Sequence, residues 1–247
     1  MTSLKINWKN IVSNYKKVKD MAIRNSLELV VITKLFDSKY SFIKKIFKND
    51  NQISVGDCYI KNFVKLPKEI NKMLLLTRLS DINHNLNSCN TLLVSDITVL
   101  EAISGLQLSK NIEIILSLEL GDLRDGINPE DLFSFMTKSL KLKNINIVGI
   151  GVNLGCLVGK VPNDKTFNIL LDSYYDIKNK LGFEFKKISI GGTVFYDFIE
   201  SGKIPKEINH IRMGEAIFFG YNMSYQKKIP ILQQDTFVFS SEIIEIY

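Results

Sequence analysis

The chain has 247 residues, of which 45% are hydrophobic and 23% charged, the composition of an ordinary globular protein. Its three cysteines lie far apart without a CxxC pair, which argues against a zinc site or a disulfide framework and favours a reduced, cytoplasmic setting. No apolar run approaches the ~18–20 residues that a membrane span needs. Residues 1–20 are Lys-rich and lack the apolar centre of a signal peptide.

The formal net charge of +6 makes nucleic acid the first partner to consider. However, the lysines are scattered along segments such as 15–19 and 42–48, where apolar residues alternate with them. This pattern is typical of the solvated face of an outer helix. No aromatic and basic stacking motif accompanies the charge. We therefore expect no nucleic-acid partner; a small anionic ligand suits the charge equally well.

Short β-branched runs alternate with longer amphipathic stretches along the whole chain. The runs are continuously apolar, as in a parallel sheet that is covered on both faces. Asp96 is a suitable N-cap, and Pro129 suits a first helical turn. The pattern predicts strands over 27–33, 52–55, 72–77, 91–94, 112–118, 145–151, 186–190 and 209–212. It predicts helices over 8–24, 37–47, 96–106, 129–142 and 165–181.

About eight β/α units in about 250 residues predict one α/β domain over 1–247, folded as a (β/α)8 TIM-type barrel. The competing architecture is an open doubly wound sheet, which carries a glycine fingerprint after its first strand. Here the first strand leads into Lys34-Leu35-Phe36 instead. Gly149 and Gly151 belong to a late strand with the wrong spacing, so the barrel is favoured.

Chemistry in such barrels collects at the C-terminal ends of the strands. Lys34 ends the first apolar strand, and a lysine in the barrel mouth sheds water and becomes a nucleophile. The alternative is a lysine that reaches solvent with no further role. Arg124 follows the fifth strand, where it binds an anion or pairs with Asp122 or Asp125. Arg212 ends the eighth strand and needs a buried partner.

Glycines cluster behind the seventh and eighth strands, where barrels of this kind bind phosphate. Gly191, Gly192 and Gly214 allow backbone N–H groups to close around an anion, which a Cβ atom would obstruct. Tight turn geometry is the other interpretation of these glycines. The arrival of such residues at successive strand ends, in barrel order, favours an active site.

Four segments carry a family resemblance: VITK at 31–34, LGDLRDGI at 120–127, GIGVNLGC at 149–156 and IRMGEAI at 211–217. In order and spacing they resemble the ornithine racemase branch of the alanine racemase N-terminal domain superfamily, which binds pyridoxal 5′-phosphate (PLP) in its barrel. The resemblance implies a PLP-dependent racemase that acts on ornithine or another basic amino acid. It names no metal.

The resemblance also implies roles for individual residues. Lys34 looks like the lysine that forms the internal aldimine and moves the substrate α-proton. Arg124 is similar to the arginine near the cofactor phenolate and the substrate carboxylate, and Arg212 to the one that faces the pyridine nitrogen. Asn153 takes the position that flanks the cofactor ring. The residues expected around the phosphate are Gly191, Gly192, Thr193, Gly214 and Glu215; no acidic side chain is assigned to a substrate ammonium.

The sequence departs from the family at two places. Relatives continue the seventh strand with a Gly-Gly-Asn-Ser type of turn, whereas this chain has Thr193, Val194 and Phe195 after the two glycines. The chain also ends where a C-terminal β domain would begin. In the family that domain supplies the second acid/base group, on the opposite face of the substrate α-carbon. Without it a homodimer is possible but not indicated. Tyr247, Tyr221 and Tyr225 are conceivable substitutes.

Two functions therefore remain open from the sequence. One is the amino-acid racemase, which needs a proton carrier on each face of the substrate α-carbon. The other is a single-domain PLP carrier or regulatory protein without racemase activity, or a truncated or decayed racemase. The missing domain and the altered turn favour the second, and the four segments favour the first.

Overall fold

The computed structural model describes residues 2–48, 50, 52–156 and 159–245. Eight parallel strands, β2 to β9, form a closed barrel in chain order, with β9 paired to β2. The strands are β1 Ser3–Ile6, β2 Glu28–Ile32, β3 Ser54–Asp57, β4 Asn71–Leu74, β5 Thr91–Val94, β6 Glu113–Leu118, β7 Asn146–Asn153, β8 Lys187–Gly191, β9 His210–Met213, β10 Tyr221–Asn222, β11 Lys227–Lys228 and β12 Phe237–Ser240. The α-helices are α1 Trp8–Arg24, α2 Tyr40–Ile46, α3 Ile97–Ser104, α4 Leu132–Ser139, α5 Asp164–Leu181, α6 Tyr196–Glu200 and α7 Glu215–Phe219.

The predicted barrel is confirmed, and all eight predicted strands are found within a few residues of their expected bounds. Helix α1 has the bounds that its apolar periodicity predicted. Asp96 caps α3 as expected, because its Oδ1 accepts a hydrogen bond of 2.9 Å from the Thr98 N–H. The predicted helix 129–142 begins instead as a 3-10 turn over Pro129–Asp131 and becomes α-helical at Leu132.

Alternation along the strands divides the apolar side chains into two layers. Val31 and Leu74 belong to the large cluster between the barrel and its helices. Their neighbours Val30 and Met73 belong to a smaller cluster that fills the barrel interior. The full interior cluster is Val30, Met73, Leu93, Ile115 and Val148, with Ile32 and Leu75 packed against it. The β8 and β9 side of the interior is polar.

Two small antiparallel pairs lie outside the barrel and were not predicted. Strand β1 pairs with β12, so that Leu4 lies opposite Phe239. Strand β10 pairs with β11 and forms a hairpin after α7, beside the barrel mouth. Both pairs are short, so the alternation of apolar and polar residues is too brief to distinguish a strand from a loop. Among the described helices, none has the length and apolarity to cross a membrane.

Candidate active site

A cavity of about 520 Å³ opens at the C-terminal ends of the barrel strands. It brings together the three cationic side chains that were predicted at the strand ends, Lys34, Arg124 and Arg212, which lie far apart in the sequence. Its lining is Ile32, Lys34, Leu35, Cys58, Leu75, Leu76, Leu93, Arg124, Asn153, Leu154, Gly155, Cys156, Gly192, Thr193, Val194, Arg212, Gly214, Glu215, Phe218, Phe219 and Ser224. Gly191, which was also predicted as a site residue, lies just behind this lining and is not part of it.

Lys34 is held at the cavity by a buried polar network that starts one residue before it. Thr33 is buried, and its hydroxyl lies 2.7 Å from the Ser38 hydroxyl. Ser38 in turn donates a hydrogen bond of 2.7 Å to Oδ2 of the buried Asp57, at the end of the adjacent strand β3. The chain between them turns through left-handed conformations at Asp37 and Ser38. Lys34 itself begins the 3-10 turn Lys34–Phe36, directly after β2, and lines the cavity.

Arg212 forms part of the cavity floor and is only 2% exposed. Its Nη2 donates 2.8 Å to the Val152 carbonyl, and its Nη1 donates to the Ser189 hydroxyl. Burial, followed by the charge of Arg124, lowers the pKa of Arg212 to about 9. The guanidinium therefore remains charged at pH 7. The buried partner expected for this arginine is provided by the neighbouring strands β7 and β8.

His210 lies below Arg212 in the barrel interior and completes a chain of three polar side chains. The Ser189 Oγ lies 2.6 Å from His210 Nδ1. Because an arginine only donates, Ser189 accepts from Arg212 and gives its own proton to Nδ1, which places the His210 proton on Nε2. Burial, then the charges of Arg212 and Lys187, lowers the pKa of His210 well below its usual value. The imidazole is therefore neutral.

Arg124 reaches the cavity from the loop after β6, opposite Lys34 in the barrel order. The loop is shaped by Gly121 and Leu123, which both have positive φ. The Asp125 carboxylate accepts 2.5 Å from the Arg124 Nε, and Asp122 lies 4.0 Å away. Burial lowers the pKa of Arg124, but the bond to Asp125 outweighs it and raises that pKa overall. Arg124 therefore lines the cavity, as predicted, and also forms the ion pair that was the alternative interpretation of this residue.

The glycine turn after β8 packs closely against the arginine floor. A Cβ atom on Gly191 would lie 2.4 Å from Arg212 Nη2 and 2.7 Å from Asn153 Oδ1. Gly192 has φ +115°, and a Cβ there would lie 2.5 Å from the Leu154 carbonyl. Both positions therefore require glycine. The turn can approach a ligand with its backbone alone.

Thr193 connects this turn to the one after β9. Its Oγ1 accepts 3.0 Å from the Ala216 N–H, in the first turn of α7, and its carbonyl accepts 3.1 Å from Asn222 Nδ2. The hydroxyl proton remains available to an acceptor in the cavity. Phe195 is fully buried and packs against Phe167, with ring centroids 6.0 Å apart. The bulk at Phe195 therefore enters the core, whereas Val194 lines the cavity.

These residues fit PLP. A primary amine, Lys34, shares the cavity with three features that an anionic, planar ligand needs: two guanidinium groups, a glycine turn and a donor hydroxyl. The first turns of the short helices after Gly192 and Gly214 also carry N–H groups that no residue of the same helix can pair. Asn153 lies beside Arg212, and its Nδ2 donates 3.4 Å to Asp122.

No local sequence pattern pointed to the supporting residues. Ser38 and Asp57 are distant in the sequence, as are Ser189 and His210, and each pair meets only in the folded barrel. Cys58, Cys156 and Ser224 also line the cavity without having been assigned to it. Of the proposed opposite-face tyrosines, Tyr247 lies outside the described residues. Tyr221 and Tyr225 are described and are absent from the cavity lining.

Three comparisons with known proteins agree. The family model of the alanine racemase N-terminal domain matches residues 6–222. Lysine racemase of Thermotoga maritima is 33% identical over 98% of this chain and 69% of its own length. Ornithine racemase of Acetoanaerobium sticklandii is 26% identical over 93% of this chain and 66% of its own length. This chain thus spans about two thirds of these curated relatives.

Solved structures show the same fold at lower identity. Alanine racemase of Clostridium difficile, in complex with cycloserine, gives a TM-score of 0.76 at 14% identity, over 96% of this chain and 67% of that one. PipY of Synechococcus elongatus gives 0.68 at 15% identity, over 84% of this chain and 99% of that one. Together with the family model and the 33% identical relative, these findings show that this chain belongs to the alanine racemase N-terminal domain family.

Proposed function

We propose that this chain is a PLP-dependent racemase of a basic amino acid such as lysine or ornithine. The observation that carries the proposal is the meeting of Lys34, Arg124 and Arg212 in one cavity at the strand ends. PLP is the cofactor of this family, in agreement with the prediction from the sequence, and PipY is a neighbour with PLP bound. The two curated relatives act on basic amino acids by their names.

Bound PLP supplies an electron sink for the electron pair that remains when the α-proton leaves. Lys34 holds the cofactor and moves the proton at the substrate α-carbon. Arg124 binds the substrate carboxylate, and Asn153 borders the cofactor ring. Arg212 presents a permanent positive charge, which its bonds to Val152 and Ser189 fix in place. The turns at Gly191, Gly192, Thr193, Gly214 and Glu215 bind the phosphate.

Racemization also needs a proton carrier on the opposite face of the α-carbon. Cys156 follows β7 and lines the cavity on the Arg124 side, whereas Lys34 follows β2. Its backbone N–H donates 3.0 Å to the Asp122 carboxylate, which fixes this segment beside Arg124. A thiol is among the side chains that act as general acids or bases in enzymes. We therefore propose Cys156 as the second proton carrier, rather than Tyr221 or Tyr225, which are absent from the cavity lining.

Exchange of the substrate α-proton tests the proposal. The PLP-loaded protein is incubated with L-lysine or L-ornithine in deuterated buffer, and NMR and chiral chromatography follow loss of the α-proton and appearance of the D-enantiomer. We expect both, and we expect Lys34→Ala to abolish both. Exposed Lys203→Ala is the control for loss of a lysine elsewhere. Bound PLP without any α-proton exchange would contradict the racemase.

That negative result would leave the PLP carrier as the second candidate. Its support is the fold shared with PipY, one of whose solved structures has PLP bound. A carrier needs the cofactor-binding residues and no second proton carrier. Exchange of the substrate α-proton therefore distinguishes the two candidate functions. Both functions require that Lys34 holds PLP.

A further inference from the structure

Glu215 is the only carboxylate among the described residues that line the cavity. The remaining charged members of the lining are the cations Lys34, Arg124 and Arg212. A substrate α-carboxylate or a phosphate thus has several cationic partners here, whereas a second positive charge on the substrate has one anionic partner. The carboxylate belongs to the first residue of α7, directly after Gly214.

The surroundings of this carboxylate leave it short of a partner. Glu215 is half-buried, and its Oε2 accepts a long hydrogen bond of 3.4 Å from the Met223 N–H. Burial raises the pKa of Glu215, while the Met223 N–H and the charge of Lys34 lower it in part. The charge of Lys34 reaches the carboxylate without forming an ion pair with it, and among the described residues no lysine or arginine pairs with Glu215.

A half-buried carboxylate without a cation is unfavourable, so a cationic ligand gains from filling this gap. The carboxylate lies between α7 and the β10–β11 hairpin, whose Ser224 also lines the cavity. Ser224 donates 3.3 Å to the Gly155 carbonyl, which joins the hairpin to the loop after β7. The carboxylate itself is directed to Met223, away from the backbone N–H groups at the start of α7.

We propose that the Glu215 carboxylate binds the distal ammonium of the substrate and so selects amino acids with a cationic side chain. This inference rests on the proposed function and adds the residue that recognises the side chain. The role is one of specificity: Glu215 touches the far end of the substrate, while Lys34 handles the α-proton.

Equilibrium binding to the PLP-loaded protein tests the inference without relying on turnover. The shift of the visible absorption band of bound PLP is titrated with L-lysine and with L-norleucine, which has the same carbon chain and no distal amine. Wild type is compared with Glu215→Gln and Glu215→Asp. Glu130→Gln, an exposed carboxylate absent from the cavity lining, is the matched control.

We expect wild type and Glu130→Gln to prefer lysine over norleucine. Glu215→Gln should lower that preference by about 10- to 100-fold, the effect of one charge-assisted hydrogen bond, and Glu215→Asp should retain part of it. Equal weakening of lysine and norleucine in Glu215→Gln would overturn the inference, since the carboxylate would then act through Lys34. An unchanged preference would overturn it as well.

The outcome is separable from that of the proposed function. Selective lysine binding that depends on Glu215, without α-proton exchange in wild type, would support the specificity role and contradict the racemase. Exchange of lysine and norleucine with equal efficiency in wild type would support a racemase and contradict the specificity role.

Discussion

The Ser38 hydroxyl donates a hydrogen bond of 2.7 Å to the Asp57 carboxylate, beneath the turn that presents Lys34. Asp57 also accepts 3.1 Å from the Tyr59 N–H and 3.1 Å from the Asn62 side chain. Three donors from two loops thus converge on one buried carboxylate. The Lys34 turn is fixed to the neighbouring strand end rather than supported only by its own backbone.

Replacement of Asp57 by Ala should therefore destabilise the fold and loosen Lys34 together. Unsatisfied buried donors cost about 1–3 kcal/mol each, so we expect the free energy of unfolding to fall by at least that amount. Thermal and urea unfolding measure this effect. Cofactor titration of the folded variant should show weaker PLP binding, whereas Asp172→Ala, at an exposed position of α5, should lower neither quantity. Unaltered PLP binding in Asp57→Ala would contradict the supporting role.

The glycine at 191 should tolerate no side chain. A Cβ would lie 2.4 Å from Arg212 Nη2, so Gly191→Ala must displace the arginine or the turn, at a cost of about 1–3 kcal/mol. We expect weaker PLP binding, measured by absorbance titration. Gly105→Ala is the matched control, since its nearest atom would be 3.5 Å away. If both variants bind PLP as wild type does, the close packing at Gly191 does not govern the site.

His210 should make stability depend on pH. Its pKa is lowered in the folded protein, so below about pH 6.5 the unfolded chain binds a proton that the folded chain excludes. The stabilisation that neutral His210 contributes is fully present above about pH 6.5. As the pH falls below that value, the free energy of unfolding decreases by up to about 1.4 kcal/mol per pH unit. Urea unfolding at several pH values measures the slope. The variant His210→Asn should reduce this slope. An identical slope in the variant would show that His210 does not cause the pH dependence.

The three cysteines should differ in reactivity with iodoacetamide. Cys156 is exposed, whereas burial raises the pKa of the Cys58 thiol and raises that of Cys89 to about 11. Because the thiolate is the nucleophile, we expect labelling in the order Cys156, Cys58, Cys89. Mass spectrometry with and without PLP should show protection of the two cavity thiols. Rapid labelling of Cys89 in the folded protein would contradict this order.

The Cys156→Ala variant tests the second proton carrier. Lys34 should still exchange the α-proton of one enantiomer, while formation of the opposite enantiomer should fall by about 10²–10⁴-fold, the typical loss when a positioned acid or base is removed. Chiral chromatography and deuterium incorporation are measured together. Cys89→Ala, outside the cavity lining, is the control. Undiminished racemization by Cys156→Ala would assign the proton transfer to another group.

Local sequence was sufficient for much of this structure. Continuous apolar runs determined the eight barrel strands, and apolar periodicity with Asp96 as a cap determined the longer helices. Lys34, Arg124 and Arg212 were found because strand ends of a parallel barrel meet on one face. These signals act within a few residues of each other, so the sequence contains them directly. The four family segments then indicated PLP.

Only the tertiary structure decided what supports and completes the site. Ser189 and His210 lie 21 residues apart and Ser38 and Asp57 19 apart, and each pair meets because adjacent strands fix the register. Cys156 joined the cavity lining for the same reason, whereas Glu215 was already expected there from the family resemblance. Contacts across strands depend on barrel closure, which no local pattern encodes. The sequence by itself therefore determined the barrel, the cationic residues and the cofactor, while the fold decided which side chains support them in the cavity.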